Sequence, residues 1–332
     1  MINAFSDHKD YEVTVLGAGV SGLTCGVRLL AKGFGVKIIA HCVPPHTTSN
    51  IAPAYWSPFR VFPEGRVLKW GRYSYEVFIN LSAESGTGVS LIRLMELYDR
   101  QVANPWWEKA VPECVRVNQS RVPLGFKDAY LVEVPLIETP IYMEYLVRRF
   151  NHLGGYIHKL DKEITSIKDL YREDAIIVNC SGLGAYEVCD DKSVYPIRGQ
   201  IVRTTNPGLS LCYHYESAKN EITYIVPRSG DCILGGTAEE LNWNTEVEEQ
   251  TAKEILYNCQ KMEPCLREAK VLENRVGLRP GRNEVRLEIE KVSNTCAIVH
   301  NYGHGGAGFT LSWGCAEEEA DLVEQFFTEE VN

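Results

Sequence analysis

The sequence predicts an α/β nucleotide-binding unit joined to an α+β unit built on a mostly antiparallel sheet. A strand, glycine turn, helix and strand follow one another across residues 11–40. A second buried-type strand runs into a glycine turn at 175–184, and strands with turn signals dominate from 198 onward. At 332 residues the chain exceeds one typical domain, so two units sharing an interface are expected.

The first unit is read from "YEVTVLGAGVSGLTCGVRLLAKGFGVKIIA". Val13 and Val15 open a β-branched run that stops at Gly17. Val20, Leu23, Val27 and Leu30 recur at helical spacing, and "VKIIA" restores a strand. Gly17, Gly19 and Gly22 form G-x-G-x-x-G at the turn. The first permits a tight bend, the second admits a pyrophosphate, and the third lets helix and strand pack closely. The helix start then faces the phosphates with its unpaired amides. One position departs from this pattern. The second strand should end in an acidic residue for the ribose hydroxyls, but His41 stands there, either as a weaker ribose ligand or as a surface histidine. In the following "PPHTTSNIAPAYWSP", Thr47, Thr48 and Ser49 offer a phosphate cradle or a plain polar loop.

In the middle of the chain, residues 60–110 are expected to contain helices, including "SLIRLMELYDRQV", and Trp106 and Trp107 to be packing residues. Thr139-Pro140 reads as an N-cap followed by proline at N1. The helix it opens carries Tyr142, Leu146 and Phe150 on one stripe and ends at Gly154-Gly155. "AIIVNCSGLG" returns the chain to the parallel sheet. "RGQIVRTT", "TYIVPRSGDCILGGT" and "NRVGLRPGRNEVRLEIE" are strands of the second sheet, with a helix at about 247–262 inserted before the last of them.

Composition narrows the function. With 44 acidic and 34 basic residues, the net charge of -10 argues against nucleic acid or an anionic membrane as partner. Eleven cysteines with no C-x-x-C pair suggest neither a zinc site nor a disulfide framework, so no metal is expected. The polar "MINAFSDHKD", the lack of a long apolar run and the terminal "TEEVN" give a cytoplasmic location as the expectation.

Near the end, "IVHNYGHGGAGFTLSWGCA" sets glycines directly before a helical run. Phe309, Trp313, Ala316, Ala320, Val323 and Phe327 mark one buried stripe of that helix, with Glu317 to Glu319 expected near its solvated face. Its positive N-terminal end lies at the glycines. His300 and His304 are read as holding local structure. On the strand "NRVGLRPG", Arg275, Gly277 and Arg279 share a face, Gly277 leaving space between two guanidiniums. From the residues alone, both arginines could equally be surface ion-pair partners.

These motifs together resemble the D-amino-acid oxidase and D-aspartate oxidase family of flavoproteins. The resemblance runs through "VLGAGVSGL", "TTSNIA", "VNCSGLG", "PIRGQIV", "TYIVP", "LGGT", "VGLRP" and "VHNYGHGGAGFTLSWGCA" in that order. It implies a Rossmann-like FAD-binding domain formed by 1–58, 140–197 and 291–332, and a substrate domain formed by 59–139 and 198–290. It also implies oxidative deamination of mostly neutral D-amino acids: hydride passes to flavin N5, and 2-oxo acid, ammonia and hydrogen peroxide result. The partners expected are an amino-acid substrate and oxygen, with a homodimer left open. By resemblance Arg279 grips the substrate carboxylate by paired hydrogen bonds, the Tyr224 hydroxyl reaches the same carboxylate, and the Gly306 carbonyl accepts from the amine. The cofactor set implied is Gly17, Ala18, Gly19, Val20, Ser21, Gly22, His41, Thr47, Thr48, Ser49, Ala52, Ile164, Gly182, Arg279, Gly305, Gly306, Ala307, Gly308, Phe309 and Thr310.

The chain departs from the family where Asn220 replaces a second active-site tyrosine and Pro53-Ala54 replaces a small pair. Arginines that D-aspartate oxidases use for a side-chain carboxylate would fall on Ala238 and near Ser217, and both are absent. Acidic substrates are therefore expected to be poor. The alternatives are an oxidase of glycine, an imino acid or a pathway-specific amine, and a flavin-binding protein with little turnover.

Overall fold

Val13 and Val15 are wholly buried because their strand, Glu12–Leu16, lies in the middle of a sheet covered on both faces. The computed structural model describes residues 12–172, 175–217 and 221–330, so Asn220 lies outside the described residues. Strand Glu12–Leu16 pairs in parallel with Gly35–Ala40 on one side and Ile176–Asn179 on the other. Tyr156–Lys159 and Ala297–Tyr302 extend the parallel sheet outward, and Arg286–Lys291 closes one edge antiparallel. The expected β-α-β unit is present, with helix Val20–Ala31 between its strands. Helix Gly308–Glu330 packs beside that helix, and the predicted stripe from Phe309 to Phe327 is buried.

The second sheet has nine strands. Val271–Gly281, Tyr195–Thr204, Cys232–Gly235, Ile222–Pro227 and Leu211–Glu216 pair antiparallel in that order. Leu211–Glu216 then runs parallel to Val89–Tyr98, and antiparallel pairing resumes with Asp128–Ile137 and Cys114–Arg116. Helix Glu249–Met262 covers this sheet through Ala252, Ile255 and Cys259, close to the expected span.

Several expectations need correction. The run "SLIRLMELYDRQV" is not helical: residues Val89–Tyr98 form a central strand paired on both sides. Its Leu, Met and Glu content favours helix, but two neighbouring strands override that preference. Helix Thr139–His152 begins one residue early, with Glu138 at the cap. The Thr139 hydroxyl does not cap; it donates to the carbonyls of Asn50 and Ala52. Glu319 is not at a solvated face but fully buried against Cys25, with no cation or amide bonded to its carboxyl oxygens among the described residues. Strand Arg286–Lys291 belongs to the six-stranded sheet. Helix Glu64–Ser82 packs on helix Gly308–Glu330, where the Ser74 hydroxyl accepts from the Gly314 amide. Among the described residues, no helix is long and apolar enough to cross a membrane.

Candidate active site

A cavity of about 480 Å³ opens where the first strands of the six-stranded sheet end, and residues of both sheets line it. One half is made by the glycine turn. Gly17 has φ +107°, and a Cβ there would run into the Cys180 carbonyl. Gly19 is the N-cap of helix Val20–Ala31, whose first turn has no acidic residue, so its positive end meets the cavity uncompensated. The Ser49 hydroxyl accepts from the Val20 amide at 3.0 Å, which fastens the Thr47–Ser49 loop to the glycine turn. Ala18, Ser21, His41, Thr48, Ala52, Ile164 and Gly182 also line this half. His41 is exposed, with Nδ1 3.2 Å from the Leu160 carbonyl oxygen. Gly22 does not reach the cavity; it packs under Gly17.

The glycines before the last helix form the floor. Gly305, Gly306, Gly308, Phe309 and Thr310 line the cavity, whereas Ala307 is buried behind them. What a Cβ at Gly305 or Gly306 would strike first is the Phe59–Arg60 stretch, so these glycines admit a loop of the protein as well as any ligand. The Thr310 hydroxyl donates to the Ser57 carbonyl at 2.8 Å and accepts from the Ser57 amide at 3.0 Å. His304 also lines the wall, bound through Nε2 to the Asn301 side chain at 2.9 Å, and burial pushes its pKa down to about 4. His300 is lowered by burial and lies between Asn179 and Glu290. Both histidines hold local structure, as expected.

The second half comes from the nine-stranded sheet. Arg275 forms an ion pair with Glu273, and the space beside Gly277 is filled by Ile51 rather than left open. Arg279 differs: it donates to the Thr237 carbonyl at 3.0 Å, and among the described residues no carboxylate pairs with it. Its guanidinium lies over Gly199, where a Cβ could not fit. Tyr224 occupies a slot that Gly235 and Gly236 leave open; a Cβ on Gly236 would come within 2.8 Å of its hydroxyl. That hydroxyl is buried beside the Arg279 guanidinium, and no acceptor among the described residues takes its proton. Burial pushes the phenol up, while the nearby Arg279 cation pulls it partly back. A buried hydroxyl whose proton lacks an acceptor costs about 1–3 kcal/mol unless a ligand supplies one.

Further wall residues had no signal in the sequence reading. Tyr55 and Phe59 set their rings edge-on against His214, at 6.3 Å and 6.1 Å. His214 is bound through Nδ1 to Glu96 at 3.1 Å. Arg279 is the one Lys or Arg among the described lining residues.

A glycine-lined helix start, a guanidinium with no carboxylate partner among the described residues and a buried phenol share one cavity, the layout of a dinucleotide-binding enzyme. The cradle suits FAD: amides and hydroxyls around Gly17, Gly19 and Ser49 suit a pyrophosphate, and the same cavity is lined by Arg279. The chain belongs to the family described as FAD dependent oxidoreductase, which matches residues 12–322. It is 48% identical over 310 residues to a D-amino-acid oxidase of Rubrobacter xylanophilus, covering 93% of this chain and 94% of that protein. It is 31% identical to the D-aspartate oxidase of Homo sapiens, covering 94% of each. Its fold is similar to that of the glycine oxidase from Bacillus cereus, with a TM-score of 0.79, 18% identity, and 95% and 97% of the two chains covered.

Proposed function

We propose that this FAD-dependent oxidoreductase deaminates neutral D-amino acids, consuming oxygen and releasing 2-oxo acid, ammonia and hydrogen peroxide. The observation that carries this reading is the pairing of Arg279, without a carboxylate partner among the described residues, with the Tyr224 hydroxyl, whose proton lacks an acceptor there, in the same cavity as the glycine cradle. The relatives named D-amino-acid oxidase support the stereochemistry and the substrate class.

When bound, FAD supplies the acceptor for the hydride from the substrate α-carbon, and oxygen restores it. The chain's own residues orient and desolvate the substrate. The Arg279 guanidinium takes the carboxylate in a forked charge-assisted pair, and the Tyr224 hydroxyl donates to the same group, relieving its own burial. The Gly306 carbonyl accepts from the substrate amine. Gly17 to Ser21, Thr47 to Ser49, Ala52, Ile164 and Gly182 hold the cofactor, and Gly305 to Thr310 present the positive helix end to its ring. His304 stays neutral, so it adds no charge of its own to that field. Among the described residues Arg279 is the sole Lys or Arg on the wall, so they offer a second substrate carboxylate no further lysine or arginine. Arg60, near Ala238, is already paired with Glu216 and Glu240. The two sheets fit a cofactor unit and a substrate unit, with strand Arg286–Lys291 falling to the cofactor side and strand Tyr195–Thr204 to the substrate side of the expected bounds.

The test is anaerobic mixing. Purified yellow enzyme should bleach with D-alanine or D-proline, then recolour on admission of air with release of peroxide. Colour that no D-amino acid bleaches would overturn the reading.

A further inference from the structure

The register of the nine-stranded sheet sets one row of residues across neighbouring strands: Gly235 lies opposite Tyr224, Tyr224 opposite His214, and His214 opposite Glu96. Directly paired residues point to the same face, with Cβ atoms about 4.5–5.5 Å apart in antiparallel pairs. The row therefore leads from the carboxylate-gripping phenol, past an imidazole on the cavity wall, to a buried carboxylate. Glu96 is 7% exposed and His214 8%. One Glu96 oxygen accepts from the Tyr98 hydroxyl at 2.9 Å, and the other faces His214 Nδ1 at 3.1 Å. In a neutral imidazole, a carboxylate at Nδ1 places the proton there and leaves Nε2 as an acceptor. Ile201, Ile222, Phe59 and the ring of Tyr55 also line the cavity, the last two against the imidazole.

We propose that the Glu96–His214 pair is a determinant of side-chain specificity. It favours D-amino acids whose side chains end in a hydrogen-bond donor, above all a cationic amine, and opposes those ending in a carboxylate. This rests on the oxidase reading above. His214 accepts from the substrate side chain; Glu96 is a positioning residue that fixes the imidazole's proton and supplies the negative charge behind it. The pair stands one strand away from Tyr224 on the same cavity, within reach of a side chain that extends past the carboxylate anchor.

The experiment uses FAD-loaded enzyme and two substrates of matched shape, D-ornithine and D-norleucine, which differ in a terminal ammonium against a methyl. The ratio of their kcat/KM values cancels any loss common to both. His214→Leu and Glu96→Gln should each lower the ornithine-to-norleucine ratio by about tenfold, mainly through the KM for D-ornithine. His214→Gln, which keeps an acceptor, should recover part of it. A general packing defect would lower both substrates together and leave the ratio in place. A ratio unchanged in both His214→Leu and Glu96→Gln overturns the proposal while the oxidase reading stands. Wild-type enzyme that holds FAD and oxidises neither substrate nor D-alanine overturns both.

Discussion

Arg279 and Arg275 show how little a residue type reveals without its neighbours. Both lie on one face of one strand, yet Arg275 has Glu273 as partner and Arg279 has no carboxylate partner among the described residues. Arg279→Ala should raise the KM for D-alanine by roughly 30-fold or more, the expected cost of leaving a buried carboxylate without its forked partner. FAD absorbance per protein should stay near wild type; an unchanged KM would remove Arg279 from substrate binding. His41 gives a second residue-scale prediction. One ring nitrogen faces the Leu160 carbonyl, so the ring offers a ribose at most one nitrogen. His41→Asp should tighten FAD by about fivefold in fluorescence titration, because a carboxylate can accept from two hydroxyls. Weaker binding would show that the histidine serves in its own right. Arg279 and Tyr224 were legible in the sequence only through short motifs in order. The reason each motif contains glycine was not legible: Gly199, Gly235 and Gly236 clear space for those two side chains from other strands.

At the scale of elements, the glycine turns, the first parallel strands and the last helix could be read because hydrophobic period and glycine position agree there. Strand Val89–Tyr98 could not. Ile92 and Leu94 begin an inward alternation, but the next inward position is Glu96, and a buried acid breaks the pattern that identifies a strand. The same cause hid Glu319, which sits in an acidic triplet yet turns into the core of helix Gly308–Glu330. Burial, then the neighbouring Cys25, pushes its carboxyl well above the ordinary range. The folded protein therefore holds this proton more tightly than the unfolded chain. The site's contribution to stability is fullest below the ordinary glutamate pKa of about 4.3 and declines as pH rises toward the raised folded value. Glu319→Gln should raise the apparent Tm by about 2–8 °C at pH 8, with a gain that shrinks toward pH 4.5. A gain that grows on acidification would contradict a protonated buried acid.

Across the whole molecule, the net charge of -10 surrounds a cavity with one Lys or Arg among the described residues of its wall. A zwitterionic substrate with a neutral side chain feels little of that field, whereas D-aspartate approaches against it. The kcat/KM for D-alanine should be nearly flat between about 20 and 300 mM salt, while that for D-aspartate should start roughly 100-fold lower and rise as screening shortens the Debye length from about 20 to 6 Å. Parity of the two substrates at low salt would show that Arg60 can leave Glu216 and Glu240 to serve a second carboxylate.

The cavity's position between the two sheets has a further result, for the life of the polypeptide rather than for its chemistry. A dinucleotide lodged there touches both halves at once and so acts as a brace. At a free concentration 100 times its dissociation constant it would add about 2.7 kcal/mol to the folded form. Newly made chains short of the vitamin-derived nucleotide should then be the ones that proteases remove, coupling the enzyme's abundance to flavin supply before any substrate is turned over.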